Sequence, residues 1–301
     1  MAHRVLVTGA TGFVGRRLVA QLVRAGHAVG GVAIDSAAPL SGVEWFAVDV
    51  RDAGALLRVV DAYSPDRIVH LAALSHVGES WRRIPDYYAI NVEGAGNLFT
   101  AARGRPIIFM SSAEVYGLVP DQEQPIRESR ALAPRTPYAL TKAAAERMAL
   151  AAGATVVRSF NLIGPGQATN FALPDFAAQL AAIERGERPA ELAVGNLSAR
   201  RDFVHVDDAV DALVRLVTRP QPGEIFNLAS GEDHSISELL DTMVELAGIE
   251  VRRIEDPTRL RPVDVARLCG DASRLRNLGW EPRRGVERGL SDVLAAAREG
   301  A

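Results

Sequence analysis

A glycine-rich segment near the N-terminus constrains the fold of this chain more than any other feature. The apolar run 4–8, typical of a buried strand, leads into Gly9, Gly12 and Gly15, and a helical pattern covers 13–25. Glycines permit a tight turn and let a pyrophosphate approach the helix N-terminus, whose free N–H groups favour an anion. A purely structural turn is the alternative. The segment predicts a strand–turn–helix that binds a dinucleotide through Gly9, Thr11, Gly12, Phe13, Val14 and Gly15.

Strand-like and helical segments alternate through the first half of the chain. The strand-like runs carry many Val and Ile and little polar alternation, which is typical of strands buried on both faces of a parallel sheet. After the first run they lie at 28–34, 43–48, 67–72, 106–110 and 155–158. The helical patterns after 13–25 lie at 53–63, 92–103 and 138–152. This order predicts an α/β fold with a Rossmann-type, doubly wound parallel sheet.

The pattern changes after about Asn161. Loop-rich stretches at 164–166 and 219–223 separate further helices, predicted at 173–185, 207–218, 235–246 and 285–298, and short strands, predicted at 203–206, 224–228 and 251–254. We expect residues 1–160 to form the dinucleotide-binding domain. Residues 161–301 are expected to form a smaller α/β substrate-binding domain, with segments near 203–228 returning to the first domain.

Composition excludes several classes of protein. The 34 basic and 37 acidic residues give a net charge of −3, and no basic stripe supports a nucleic-acid-binding surface. No uninterrupted run of about 18 apolar residues predicts a membrane span. The single cysteine, Cys269, cannot form an internal disulfide, which favours a reducing compartment. We therefore expect a cytoplasmic protein without a targeting segment, a membrane or nucleic-acid partner, or a metal site.

Acidic residues follow the second and third strand-like runs. Asp35, twenty positions after Gly15, is placed to accept hydrogen bonds from an adenosine ribose and to repel a 2′-phosphate. No arginine follows it directly, so NAD(H) is favoured and NADP(H) is the alternative. Asp49 and Val50 would lie near the adenine. A loop-capping role is the simpler interpretation of Asp35.

Three further residues form a candidate catalytic group. Tyr138 and Lys142, four positions apart, share one face of a helix. The ammonium, with an oxidised nicotinamide, would lower the phenol pKa from about 10 and prepare it for proton transfer. Ser112, at the end of the preceding strand, supplies a hydroxyl for a reacting carbonyl. Taken alone, the spacing of Tyr138 and Lys142 indicates only an exposed helix. Ser112 taken alone indicates a turn at the end of a strand.

Together these motifs resemble the extended short-chain dehydrogenase/reductase family, whose members are NAD(P)-dependent enzymes that act on nucleotide sugars. The resemblance also includes the segments 70–73, 91–92 and 158–161. It implies that Leu71, Ala72, Ala73 and Asn91 contact the cofactor together with Tyr138 and Lys142. It further implies a homodimer formed through the helices at 92–103 and 138–152.

Motifs in the second half resemble those of reductases that act on GDP-4-dehydro-6-deoxy-mannose and, in part, those of GDP-mannose 4,6-dehydratases. They lie at 161–167, 175–177, 194–203 and 259–264. The resemblance implies a GDP-hexose pocket, in which arginines are suited to pair with the diphosphate. The alternative is that Arg200 or Arg201 simply pairs with Asp202, Asp207 or Asp208. The candidate substrate contacts are Ser75, His76, Ser112, Asn161, Asn170, Val194, Asn196, Arg201 and Arg261.

The two residues after Ser112 bear on the reaction. A reductase needs only hydride transfer to C4 and a proton from Tyr138, whereas a 4,6-dehydratase needs a further acid–base group. Ala113 cannot act as an acid, but Glu114 keeps the dehydratase open as the alternative, because GDP-mannose dehydratases carry a Glu without an adjacent Asp. We favour a reductase of the C4 keto group. A 4-epimerase and a non-enzymatic NAD(H)-binding sensor or scaffold are the remaining hypotheses.

Overall fold

A computed structural model describes residues 2–34, 40–260 and 263–300. Its strands are short and mostly buried. In chain order they are β1 (Arg4–Thr8), β2 (Ala28–Ala33), β3 (Val43–Ala47), β4 (Arg67–His70), β5 (Ile107–Ser112), β6 (Thr155–Ser159), β7 (Asn161–Ile163), β8 (Glu191–Val194), β9 (Arg200–His205), β10 (Ile225–Leu228), β11 (Asp233–Ser235), β12 (Arg252–Glu255) and β13 (Arg267–Leu268).

The helices flank these strands, and several begin at a clear capping residue. Ser235 and Glu238, for example, form a capping box at the start of α9, which ends before the left-handed Gly248. The helices are α1 (Gly15–Arg24), α2 (Ala53–Tyr63), α3 (Val77–Ser80), α4 (Ile84–Tyr88), α5 (Gly94–Ala102), α6 (Pro137–Ala151), α7 (Ala172–Glu184), α8 (Val206–Thr218), α9 (Ile236–Ala247), α10 (Ser273–Asn277) and α11 (Val286–Glu299).

The central sheet confirms the predicted fold class. It has seven strands in the order β3–β2–β1–β4–β5–β6–β10, and all neighbouring pairs are parallel. Successive side chains point to opposite faces, so Val5 and Val7 belong to one buried cluster and Leu6 to the other. Helices α1 and α8 pack together on one face, and α2, α5 and α6 cover the other. The sheet is therefore doubly wound.

The second half of the chain contributes to both parts of the fold. Strand β10 pairs with β6 in the central sheet, whereas β9 pairs with β7, β11 and β13 in a separate small sheet. The predicted strand 203–206 is β9, which begins three residues earlier, at Arg200. A third buried cluster, containing Leu180, Leu240 and Leu290, joins α7, α9 and α11. The domain division at residue 160 stays a prediction.

The topology determines where a ligand can bind. The carboxyl ends of parallel strands meet at one edge of the sheet, and open sheets of this kind bind ligands there. Gly9 follows β1, Leu71 follows β4 and Ser112 ends β5, so the three lie along this edge. No described helix is long and apolar enough to cross a membrane.

Candidate active site

The glycine turn after β1 is closed tightly and leaves no room for side chains. Gly9 has a φ of +67°, and a Cβ on it would lie 2.7 Å from the backbone N of Ala72. A Cβ on Gly15 would lie 2.1 Å from the carbonyl O of Gly9. Helix α1 begins after Val14, which provides no side-chain cap. These features fit a dinucleotide pyrophosphate, because the helix amides are not taken by a capping side chain.

Two of the predicted adenosine contacts, Asp49 and Val50, follow β3. Asp49 is paired with Arg51 at 2.5 Å, and the hydrogen bonds from that guanidinium lower the pKa of the carboxyl. Val50 is buried and packs against α5, since a Cβ on Gly94 would lie 2.6 Å from its Cγ2. Asp35 lies outside the described residues.

Asn91 connects the loop after β4 to helix α6. Its Oδ1 accepts a hydrogen bond from Leu74 N at 2.8 Å, and its Nδ2 donates to Thr141 Oγ1 at 3.1 Å. Asn91 lies in a π-helical turn, 89–93, that precedes α5. The predicted cofactor contacts Leu71, Ala72 and Ala73 are half-buried directly before Leu74. Asn91 therefore holds the cofactor-side loop in position.

Ser112 and Tyr138 meet at the end of β5. Helix α6 begins at Pro137, with Thr136 accepting the Ala139 N–H at 3.1 Å, and this places Tyr138 in the first turn. The Ser112 hydroxyl lies near the phenol and lowers its pKa, but burial has the larger effect and raises the pKa of Tyr138 to about 12. Desolvation of the phenolate dominates in the protein alone, and the lowering of the phenol pKa by Lys142 with a bound oxidised nicotinamide stays a prediction.

Lys142 lies one turn further along α6 and is almost completely buried. Its Nζ is 4.4 Å from the centre of the Phe109 ring, which indicates a cation–π contact. Burial lowers the pKa of Lys142 to about 7, although the negative charge of Glu146 acts in the opposite direction. At neutral pH the amine is thus close to its titration midpoint.

A buried polar network lies beneath these residues and was not identified from the sequence. Arg158 of β6 pairs with Glu146 of α6 at 2.6 Å, and both side chains are buried. Ser111 donates to the same carboxylate at 2.6 Å. The network fixes α6 against β5 and β6, and with it the relative positions of Tyr138 and Ser112. The motif at 158–161 includes Arg158, but no pattern in the sequence connects it with Glu146.

A cavity of about 620 Å³ opens beside this site, a volume in the range of small-molecule sites. Of the predicted substrate contacts, five line it: His76, Asn161, Asn170, Asn196 and Arg201. Val194 is buried at the end of β8, and Ser75 is exposed next to His76. Ser112 lies instead at Tyr138, and Arg261 is outside the described residues.

Side chains from both halves of the chain meet across this cavity. The Nε2–H of His76 donates to the carbonyl O of Asn170 at 2.8 Å, while its Nδ1 accepts the Glu79 N–H. Arg201 is buried and pairs with Asp264 at 2.7 Å, a partner that the sequence did not suggest. Asp264 is 63 positions from Arg201, which is why sequence proximity pointed to other residues.

Two further cavity residues had been recognised only within motifs. Asp175 of α7 forms an ion pair with Arg259, and both residues line the cavity. The two are 84 positions apart, so no local pattern connects them. Trp81, directly after α3, also lines the cavity and is partly exposed.

Comparisons with known proteins agree with this geometry. The sequence model of the GDP-mannose 4,6 dehydratase family matches residues 6–293. GDP-6-deoxy-D-mannose reductase of Pseudomonas aeruginosa is 33% identical, covering 98% of this chain and 97% of that protein. GDP-mannose 4,6 dehydratase 1 of Arabidopsis thaliana is also 33% identical but covers 80% of this chain and 70% of that protein. The structure of RMD from P. aeruginosa complexed with NADPH has a TM-score of 0.86 at 30% identity and covers 100% of both chains.

The family model and the P. aeruginosa matches extend over nearly the whole chain, and the range 6–293 matched by the family model contains the glycine turn and the Ser112, Tyr138 and Lys142 group. They confirm the resemblance identified from the motifs. The chain belongs to the GDP-mannose 4,6 dehydratase family, within the NAD(P)-dependent extended short-chain dehydrogenases/reductases.

Proposed function

We propose that this protein reduces the C4 keto group of a GDP-4-dehydro-6-deoxyhexose with NAD(P)H. The observation that carries the proposal is the buried Tyr138 phenol, which lies near Ser112 and whose pKa burial raises to about 12. A phenol with a raised pKa keeps its proton at neutral pH, and reduction of a carbonyl requires a proton donor. The relative from P. aeruginosa, a GDP-6-deoxy-D-mannose reductase, supports this choice of reaction, because this chain spans 97% of its length.

Each residue has a distinct role in this proposal. When bound, NAD(P)H supplies the hydride for C4. Ser112 donates a hydrogen bond to the carbonyl oxygen and holds it near Tyr138, which then transfers its proton to that oxygen. The Lys142 ammonium donates to the nicotinamide ribose and stabilises the phenolate that the proton transfer leaves behind. The glycine turn binds the pyrophosphate, and the cavity holds the nucleotide sugar.

The reaction is tested by incubating the protein with GDP-4-dehydro-6-deoxymannose and NADPH or NADH. We expect loss of the reduced-nicotinamide absorbance and, by mass spectrometry, a sugar nucleotide heavier by two hydrogens. A 4-epimerase would instead isomerise a nucleotide sugar without net consumption of cofactor. A sensor or scaffold would bind NAD(H) with no absorbance loss at any pH, and that result would contradict the proposal.

GDP-mannose 4,6-dehydration is the second candidate, because Glu114 is close enough to Tyr138 to raise the pKa of the phenol. The dehydratase from A. thaliana is longer than this chain, which spans only 70% of it. We expect Glu114→Gln to leave ketosugar reduction close to the wild-type rate, because the reductase does not use this carboxylate. If the protein is a dehydratase, the same change should slow water elimination from GDP-mannose by about a hundredfold or more. Ser112→Ala is the control, since it should impair both reactions.

Cofactor preference is proposed from Asp35 alone. A carboxylate at this position repels a 2′-phosphate, so we propose NADH as the preferred cofactor, although the related P. aeruginosa structure contains NADPH. We expect Asp35→Ala to reduce the ratio of kcat/KM for NADH to that for NADPH, mainly by lowering KM for NADPH. A wild-type preference for NADPH would show that the interpretation of Asp35 is wrong.

We also propose a homodimer formed through α5 and α6. Leu140 and Met148 on α6 and Tyr88 before α5 are large apolar side chains that are exposed in the single chain, which supports burial of this face by a second copy. The cytoplasmic location inferred from the sequence stays a prediction.

A further inference from the structure

Asp175 lines the cavity from the first turn of helix α7. Helix α7 begins beside His76, whose ring contacts Phe171 with centroids 5.4 Å apart. The residue after His76, Val77, packs with Tyr138 in a buried cluster, so this end of the cavity leads to the catalytic group. Asp175 lies one turn further along α7 and faces Arg259. A sugar whose C4 reaches Tyr138 therefore leaves its nucleotide towards Asp175.

The carboxylate of Asp175 is held in a fixed orientation. Gln179, one turn later, donates from Nε2 to Asp175 Oδ2 at 2.7 Å. The same amide is fixed by both backbone groups of Ala193 in β8, accepting from its N–H at 2.9 Å and donating to its carbonyl O at 3.1 Å. Arg259 also approaches Oδ2, whereas its contact with Oδ1 is 3.4 Å long. Gln179 and Arg259 thus bind mainly Oδ2 of Asp175. Lone pairs of Oδ1 remain available for a ligand.

The surroundings of Asp175 are suited to a flat ligand. Gly195 packs directly on the Arg259 backbone, since a Cβ on it would lie 2.9 Å from the Arg259 carbonyl O. Gly195 and Asn196 line the same part of the cavity. The Asp175 side chain is 19% exposed, so it is accessible from the cavity although partly buried. An acceptor and a guanidinium donor therefore lie side by side in the cavity lining, next to the close approach of Gly195 to the Arg259 backbone.

We propose that Asp175 recognises the base of the substrate and selects guanine, an inference that rests on the proposed nucleotide-sugar function. Guanine carries two adjacent donors, N1–H and the N2 amino group, and the lone pairs that remain on Oδ1 of Asp175 can accept from both. Adenine and cytosine place a ring acceptor next to their amino donor, and uracil flanks its single N–H with two carbonyl oxygens. Those acceptors would face the negative charge of Asp175 and be repelled. The Arg259 guanidinium provides donors for guanine O6, an acceptor.

The test compares the binding of GDP, IDP and UDP by isothermal titration calorimetry. IDP differs from GDP only in lacking the N2 amino group, so the ratio of their affinities measures that one hydrogen bond. We expect the wild type to bind GDP about tenfold or more tightly than IDP, and UDP more weakly still. Asp175→Asn should weaken GDP by about tenfold or more and bring the ratio of GDP to IDP affinity close to one.

Two further variants separate base recognition from loss of the ion pair. Arg259→Met breaks the same ion pair but keeps the carboxylate, so it should retain the GDP-to-IDP ratio. Asp241→Asn breaks a comparable pair with Arg253 outside the cavity and should leave all three affinities unchanged. Thermal unfolding of each variant verifies that it is folded.

The possible failures are distinguishable. An unchanged GDP-to-IDP ratio in folded Asp175→Asn would overturn the role of Asp175 and leave the proposed reductase intact. Equal affinity of the wild type for GDP and UDP would overturn both this inference and the GDP specificity of the proposed function. The hydride-transfer assay, which does not depend on base selectivity, tests the reductase separately.

Discussion

Replacing Tyr138 by Phe should lower kcat for ketosugar reduction by about a hundredfold or more, because the variant lacks the proton donor. The ring itself packs against Val77 and Tyr87 in a buried cluster, and Phe keeps that packing. The lost hydroxyl leaves Ser112 available to hold the carbonyl, so KM should change little. Stopped-flow measurement of nicotinamide oxidation under saturating substrate gives the rate.

Tyr87 offers a matched control for this substitution. Its ring lies 6.3 Å from that of Tyr138, and its phenol is also buried, donating to the carbonyl O of His76 at 2.5 Å. Tyr87→Phe removes an equivalent hydroxyl from the same cluster but leaves Tyr138, the proposed proton donor of the reaction, in place. We expect a modest loss of stability and a kcat far above that of Tyr138→Phe. Equal losses in the two variants would mean that the cluster matters only for packing.

The pH dependence of the wild type follows from the same phenol. Because its pKa is raised to about 12, Tyr138 remains protonated across the neutral range and should not limit reduction below that value. The lowering expected from the sequence depends on Lys142 together with a bound oxidised nicotinamide, and it applies to the complex with cofactor. What the spacing could not show is how deeply the helix buries both groups, and in this fold burial has the larger effect.

The central sheet was predictable because each of its strands is an apolar run bounded by turn residues. Strand β9 shows the limit of that signal. It begins at Arg200, and its second and third residues, Arg201 and Asp202, are polar yet buried. Arg201 is neutralised by Asp264, and Asp202 accepts backbone N–H groups from Ser230 and Gly231. These partners are remote in sequence, so hydrophobicity alone located only the apolar end of the strand.

In the candidate site, too, features within one segment were predictable from the sequence, whereas contacts between distant segments were not. The glycine turn and the Tyr138–Lys142 pair depend on spacing within one segment, and the sequence contains that spacing. The pairing of Asp175 with Arg259 and the support of α6 by Arg158 arise only when distant segments pack together. Motifs thus located the chemistry, whereas the charged partners that orient it needed the structure.

Lys142 is the one lysine among the 34 basic residues of the sequence, and it is buried. Arginine remains charged at any accessible pH, whereas a buried lysine titrates readily. With its pKa lowered to about 7, Lys142 is charged below that pH and neutral above it. The proposed role requires the ammonium, so cofactor affinity should decrease as the pH rises through this value. Selective ¹³C labelling of lysine gives a single side-chain signal, whose titration measures this pKa directly.

Lys142→Met should abolish most activity and yet stabilise the protein without cofactor. The folded pKa of about 7 lies below the unfolded value near 10.5, so the unfolded state binds more protons between these limits. The destabilisation caused by burying the charge is therefore complete below pH 7 and disappears as the pH approaches 10.5. Methionine has a similar shape and no charge, so the variant should gain up to a few kcal/mol at low pH.

Thermal unfolding of the two proteins at pH 6, 8 and 10 measures this gain. We expect the variant to melt at a higher temperature at pH 6, with the difference shrinking towards pH 10, because folded Lys142 is then neutral and the unfolded lysine approaches its own pKa near 10.5. Other titrating groups are common to the two proteins and cancel in the difference. A gap that stays constant with pH would show that Lys142 is not a destabilising buried charge. A variant that melts lower at every pH would assign the residue a structural role, with the cation–π contact to Phe109 outweighing the cost of its burial.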